Sequence, residues 1–171
     1  STDFIFDGVS EKAYLESDDP NPLNIYGKSK LAGELAVCAT MQKNAIIIRT
    51  SWLYSEYSNN FVNTIIRKSQ KISELNVVSD QYSSPTNAND LAEAIIQIIN
   101  HNKFKNHDQL TQIYHYSGHG VCSWFEFARE ILDLANIDCQ VNPIEAKDYL
   151  TTAKRPKYSF LNTDKIAKDF D

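Results

Sequence analysis

Tyr26 and Lys30 stand four residues apart in a segment that reads as helix, and that spacing puts both side chains on one face. A lysine so placed can hold a tyrosinate. A free tyrosine titrates near pH ~10 and a useful acid or base near ~7, so the site must supply about three units, roughly 4 kcal/mol. One ammonium at ~4 Å in an effective dielectric of ~20 gives about that. Burial pushes the other way, so a second positive charge would help. The spacing alone is common on helices, and its setting is what gives it weight. Ser1-Thr2-Asp3 closes a strand about 24 positions earlier, and strand ends at the carboxyl edge of a parallel sheet are where open α/β folds place their sites.

The elements that must position these residues follow from periodicity. Residues 1–8, with β-prone Phe4, Ile5 and Phe6 before Gly8, read as a strand end running into a loop. The acidic stretch 16–22, with Pro20 and Pro22, reads as a solvated surface loop. A helix over 24–42 carries Leu31, Leu35 and Cys38 on one stripe and Tyr26, Lys30 and Glu34 on another. Residues 45–48, Ala-Ile-Ile-Ile, are a short apolar run of the kind buried on both faces of a parallel sheet. A helix over 60–70, a strand at 76–78 and a polar loop through Pro85 follow. The one-sided helix over 89–100 has Leu91, Ala94, Ile95, Ile98 and Ile99 on its apolar face, so it must pack on something.

After a hydrophilic stretch with His101 and His107, residues 113–116 read as a strand closed by Ser117 and Gly118. Ser123 and Glu126 then form a capping box opening a helix with Trp124, Phe127, Ala128, Ile131 and Leu132 in the core. A strand at 139–141, an extended segment at 155–159 and a helix start at Thr163 complete the chain. Strands alternating with helices give an α/β fold.

Of 171 residues 42% are hydrophobic and 23% charged, enough apolar material for a core and no sign of disorder. Seventeen Lys and Arg against 22 Asp and Glu leave a net charge of −5, so the basic footprint of a nucleic-acid or anionic-membrane binder is missing. No apolar run approaches a membrane span, and no signal-peptide layout opens the chain. Cys38, Cys122 and Cys139 are an odd, widely spaced set that fits reduced thiols in the cytoplasm.

The five glycines, Gly8, Gly27, Gly33, Gly118 and Gly120, cannot be assembled into a dinucleotide or phosphate-binding loop. The chain starts without Met and stops inside a begun helix, which predicts a piece of a longer protein. Zinc ligation by His115, His119 and Cys122 is set aside, because Gly118 and Gly120 mark a turn there and a fourth ligand is not evident. No metal site is expected.

Five blocks taken together resemble the dTDP-4-dehydrorhamnose reductase family of the extended short-chain dehydrogenase/reductases. They are residues 1–8 (Ser-Thr-Asp-Phe-Ile-Phe-Asp-Gly), 22–34 (Pro-Leu-Asn-Ile-Tyr-Gly-Lys-Ser-Lys-Leu-Ala-Gly-Glu), 47–54 (Ile-Ile-Arg-Thr-Ser-Trp-Leu-Tyr), 80–86 (Asp-Gln-Tyr-Ser-Ser-Pro-Thr) and 155–162 (Arg-Pro-Lys-Tyr-Ser-Phe-Leu-Asn). The resemblance covers essentially the whole chain, in the family's order. Phe4 departs from it, standing where a tyrosine is usual.

The resemblance implies hydride transfer from NADPH or NADH to the C4 ketone of dTDP-4-dehydro-L-rhamnose, giving dTDP-L-rhamnose for cell-surface polysaccharide. It implies Tyr26 as proton donor and Lys30 as the group that lowers the Tyr26 pKa and binds the nicotinamide ribose. Thr2 would hydrogen-bond the sugar carbonyl region. Asp3 and Trp52 match positions that hold the nucleotide-sugar, and Arg155 and Ser159 fall in a tail motif that closes over its nucleotide part. The fold implied is the carboxyl-side half of a Rossmann-like doubly wound parallel sheet plus a small substrate-binding α/β subdomain. Residues 1–80 would carry the catalytic helix, and 81–171 would be the mixed, mainly substrate-binding part with interleaved Rossmann elements.

The main cofactor loop would lie in an absent amino-terminal half of about 100 residues, leaving this chain alone a weak cofactor binder and inactive. A parallel sheet cut in this way exposes an edge at 1–6 and 46–48, so self-association is expected. Two other readings remain: a related nucleotide-sugar epimerase, dehydratase or reductase, and a non-catalytic regulatory subunit of the methionine adenosyltransferase type. Asp3 directly after Thr2, with residues 49–52, Arg-Thr-Ser-Trp, favours the rhamnose reductase over the related enzymes.

Overall fold

A computed structural model describes residues 1–105 and 110–170; His107 lies outside them. The chain opens with Thr2 in a parallel bridge to Thr50 and then turns at once into a 3-10 helix, Asp3–Ile5. This corrects the strand expected over Phe4, Ile5 and Phe6. In a strand neighbouring side chains point to opposite faces, whereas Ile5 and Phe6 are both fully buried, and the Thr2 hydroxyl accepts from the Phe4 N–H to start the turn.

Helix α1 (Ile25–Thr40) is capped by Asn24, whose side chain accepts from the Gly27 N–H at 2.8 Å. Strand β1 (Ile46–Arg49) follows, then β2 (Leu53–Tyr54), α2 (Phe61–Ser69), β3 (Glu74–Val78), β4 (Tyr82–Ser83) and β5 (Thr86–Asn87). After these come α3 (Ala88–Asn100), α4 (Asn102–Lys105), β6 (Gln112–His115), β7 (Cys122–Ser123), α5 (Trp124–Leu134), β8 (Gln140–Ile144) and α6 (Asp164–Phe170). The polar loop expected through Pro85 therefore contains β4, and β5 begins directly after it; both are two-residue strands too short to show periodicity.

Among the described residues β1 pairs in parallel with β6, from Ile46–Gln112 to Arg49–His115, and β3 in parallel with β8, from Glu74–Gln140 to Val78–Ile144. Strands β2 and β5 add a parallel pair, and β4 and β7 an antiparallel one. Only Ile47 and Arg49 of β1 are buried, so the apolar run is not covered equally on both faces within this chain.

One apolar cluster joins α2, β3 and α5 through Ile65, Leu75, Val77, Ala128, Ile131 and Leu132. The Ser123–Glu126 capping box is formed in both directions and contributes about 1 kcal/mol to holding α5 against it. A second cluster packs Ile5, Phe6, Tyr14 and Leu161 beside Leu31, and a third packs Ile98, Tyr114 and Ile166. Of the α3 stripe only Ile98 is buried, while Ile95 and Ile99 are exposed, because β6 and α6 cover one edge of the apolar face. Leu35 of α1 is likewise exposed.

The tail returns across the chain. Its Ser159 N–H donates to Tyr82 O, and Tyr14 N–H donates to Phe160 O. Gly8, at φ +77°, lies under Pro156 so closely that a Cβ would fall 2.4 Å from the proline Cβ. The loop expected to be solvated is anchored at Glu16, whose carboxylate accepts from the His115 N–H at 3.0 Å. No described helix is long and apolar enough to cross a membrane.

Candidate active site

The first turn of α1 approaches the 3-10 turn through a glycine. A Cβ at Gly27 would stand 2.1 Å from the Phe4 carbonyl oxygen and 2.9 Å from Pro22 Cβ, so only glycine admits this contact. It brings Tyr26 beside Phe4, the rings edge to face at 6.0 Å. The Tyr26 side of the helix therefore faces the turn that starts at Thr2. Tyr26 is half exposed and Lys30 exposed, and no described carboxylate pairs with the Lys30 ammonium.

Thr2 is held at the carboxyl end of β1, where Asp3 N–H donates to Thr50 O at 3.0 Å. Its hydroxyl donates to Asp3 Oδ1 at 3.1 Å, and the other Asp3 oxygen accepts from Ser159 Oγ at 2.5 Å. Asp3 and Ser159 are both 2% exposed, so their polar atoms face each other. Burial pushes the Asp3 carboxyl up to about 6, against the hydrogen bonds from Ser159 and Thr2 that favour its charged form. The start of α1 is tied to the same tail, since Asn24 Nδ2 donates to Lys154 O at 2.8 Å.

Trp52 sits in the left-handed region, φ +43°, and stacks on Trp124 with ring centroids 3.4 Å apart and planes within 12°. Trp124 is thus an aromatic wall as well as part of the core edge. It lines a cavity of about 220 Å³ with Phe61, Lys68, Gln81, Tyr149 and Arg155, so two cations and three aromatic rings converge there. A larger cavity, about 440 Å³ between α3 and α6, touches none of the expected site residues.

Sequence reasoning missed the charged layer beneath the helix. Glu34 is buried and accepts from Arg49 at both Nε and Nη2, the latter at 2.7 Å. His115 completes it, with Nε2 3.3 Å from Arg49 Nη1 and Nδ1 3.1 Å from Tyr14 O. A guanidinium can only donate and a carbonyl can only accept, so His115 is neutral with its proton on Nδ1. Burial, reinforced by the Arg49 charge, pushes its pKa down to about 3. Both ring nitrogens are engaged, so His115 is unavailable to join His119 and Cys122 as a metal ligand. Glu34 lies four residues beyond Lys30 on the stripe already noted, and that spacing was the available signal.

The fold is mixed α/β with parallel strands, of the kind found in Rossmann-like short-chain dehydrogenase/reductase enzymes, and its conspicuous exposed pair is the tyrosine and lysine of α1. The chain matches the family described as the RmlD substrate binding domain over residues 1–171, and it belongs to that family. It is 40% identical to the dTDP-4-dehydrorhamnose reductase of Sinorhizobium fredii over 174 residues, covering 99% of this chain and 58% of the relative. It is also 40% identical to the spore coat polysaccharide biosynthesis protein SpsK of Bacillus subtilis over 162 residues, 95% of this chain and 54% of that one. The crystal structure of dTDP-4-dehydrorhamnose reductase from Bacillus anthracis in complex with NADP superposes with a TM-score of 0.88 at 41% identity, over 99% of this chain and 57% of that one. The chain thus spans somewhat more than half the length of these relatives.

Proposed function

We propose that the full-length protein carrying this chain is a dTDP-4-dehydrorhamnose reductase, acting in the supply of dTDP-L-rhamnose for polysaccharide. The observation that carries the reading is the contact of Gly27 with Phe4, which sets the Tyr26–Lys30 stripe beside the turn opened by Thr2. The names of the relatives support the substrate, since a reductase of this name acts on a dTDP-sugar.

NADPH or NADH, when bound, supplies the hydride. The residues present fit one end of that cofactor. Lys30 offers an exposed ammonium for ribose hydroxyls, while the five glycines form no loop for the pyrophosphate. Tyr26 gives its proton to the C4 oxygen as negative charge develops there, and the Lys30 charge favours that donation. Thr2 orients the sugar near its carbonyl. Asp3 keeps Thr2 and the tail in register, because its two oxygens bind Thr2 and Ser159. Arg155 and Lys68 supply positive charge for the pyrophosphate of the dTDP-sugar, and Trp124, backed by Trp52, supplies an aromatic face.

Residues 1–80 carry the reacting groups in this reading, and 81–171 supply much of the substrate cavity. Self-association of the isolated chain belongs to the same reading. The test is oxidation of NADPH by the full-length protein with dTDP-4-dehydro-L-rhamnose, with dTDP-L-rhamnose identified as product. Turnover of that sugar supports the proposal. Turnover only of other nucleotide-sugars, or of none, overturns it.

A further inference from the structure

We propose that Arg49 is a positioning residue of this site, fixing the rotation and height of the Tyr26–Lys30 helix relative to Thr2 through a planar clamp on Glu34. The inference rests on the reductase reading above. Tyr26, Lys30 and Glu34 occur at intervals of four on α1, so Glu34 lies about two turns, or about 12 Å, along the axis from Tyr26 on nearly the same side. The clamp is directional. Arg49 Nε lies 3.0 and 3.2 Å from the two Glu34 oxygens and Nη2 lies 2.7 Å from Oε2, which ties the carboxylate to the plane of the guanidinium.

The guanidinium is itself held on its remaining sides. His115, its direct partner across β1 and β6, accepts from Nη1, and the Phe6 ring lies 5.4 Å from the guanidinium carbon. The His115 ring is fixed in turn by Tyr14 O, and the His115 backbone by Glu16. All three side chains are enclosed, with Arg49 and Glu34 at 3% and 4% exposure.

The next residue along the strand holds the other half of the site. Successive side chains of a strand point to opposite faces, so while Arg49 reaches to α1, the backbone of Thr50 pairs with that of Thr2 and receives the Asp3 N–H. The dipeptide Arg49-Thr50 therefore determines where Tyr26 and Lys30 stand with respect to Thr2. A buried ion pair adds little net stability beyond an apolar pair of similar volume, but its geometry is far more specific. Misplacement of a reacting group by ~1 Å can cost ~10²-fold in rate.

The experiment compares four full-length proteins: the parent, Tyr26→Phe, Arg49→Lys, and the double variant Arg49→Met/Glu34→Leu. Arg49→Lys keeps the charge and loses the fork, and the double variant removes both charges while filling the space. The proposal expects kcat to fall about 10- to 100-fold in both Arg49 variants, with KM for NADPH and for the sugar within about threefold of the parent and the melting temperature of the double variant retained. Parental kcat in either folded variant overturns it, as does loss of the fold in both, since the pair would then serve stability first. Tyr26→Phe separates the failures: normal turnover there sinks the reductase reading itself, whereas an inactive Tyr26→Phe beside a fully active Arg49→Lys sinks only the positioning role.

Discussion

Asp3 and Ser159, 156 positions apart in sequence, share a buried hydrogen bond of 2.5 Å that joins the start of the chain to its tail. The bond keeps the tail closed over the segment that presents Thr2. It also gives the protein a titrating group where charge is costly.

Replacing Asp3 by asparagine is expected to change how stability depends on pH. A carboxyl raised from 3.8 to about 6 by burial binds its proton more tightly when folded, so its contribution is greatest below pH 3.8 and is lost as pH rises through about 6. The magnitude is on the order of 3 kcal/mol. His115 acts oppositely, because a folded pKa of about 3 against 6.5 means that stability is lost as pH falls below 6.5. The two trends offset each other in the parent. Thermal melts from pH 4 to 7 should show Asp3→Asn gaining on the parent as pH rises. A constant difference between the two would contradict the burial of this carboxyl.

Two glycines of one helix should respond in opposite directions to alanine. At Gly27 a methyl meets the Phe4 carbonyl oxygen at 2.1 Å, so Gly27→Ala must push α1 off the turn and should cost about 1–3 kcal/mol and most of the activity. At Gly33, among the described residues, nothing beyond the helix's own backbone and the chain neighbours lies within 4 Å of the new methyl, and the helix gains about 1 kcal/mol from the loss of glycine. Denaturant midpoints of the two variants decide it, and equal shifts would mean that the Gly27 contact does not position the helix.

Arg155→Ala should act on substrate binding and spare the chemistry. A charge-assisted hydrogen bond to phosphate is worth about 1.5–3 kcal/mol, so KM for the dTDP-sugar should rise about 10- to 100-fold, with KM for NADPH unchanged. Steady-state kinetics with each substrate varied in turn measures both. An unchanged KM for the sugar would remove the 220 Å³ cavity from the account of nucleotide binding.

Much of this architecture was legible wherever a local pattern reports a tertiary role. The Ser123–Glu126 box and the apolar stripe of α5 are written in side-chain spacing, and the structure carries both. The apolar run at 45–48 announces a parallel strand, and β1 pairs with β6 accordingly. Strands β4 and β5 were illegible because two residues cannot display a period. The turn at Asp3–Ile5 is hidden from a local reading because β-propensity reports a pleated, half-buried setting, whereas Ile5 and Phe6 are enclosed on all sides. Of the seven proposed site residues, Tyr26 and Lys30 are legible from type and spacing, whereas the roles of Thr2, Asp3, Trp52, Arg155 and Ser159 rest on the family resemblance. That Asp3 bonds Ser159, or that Glu34 bonds Arg49, depends on contacts between distant segments, which no local period encodes.

The proposed chemistry turns on Tyr26 as its proton donor, and Tyr26→Phe in the full-length protein tests that role most directly. The substitution removes one hydroxyl from a half-exposed ring and leaves its edge-to-face contact with Phe4 intact. With dTDP-4-dehydro-L-rhamnose and NADPH, turnover should fall by about 10²- to 10⁴-fold, the range for a positioned acid, while the sugar still binds in a direct titration. Turnover near that of the parent would contradict the assignment and with it the chemistry proposed for this site.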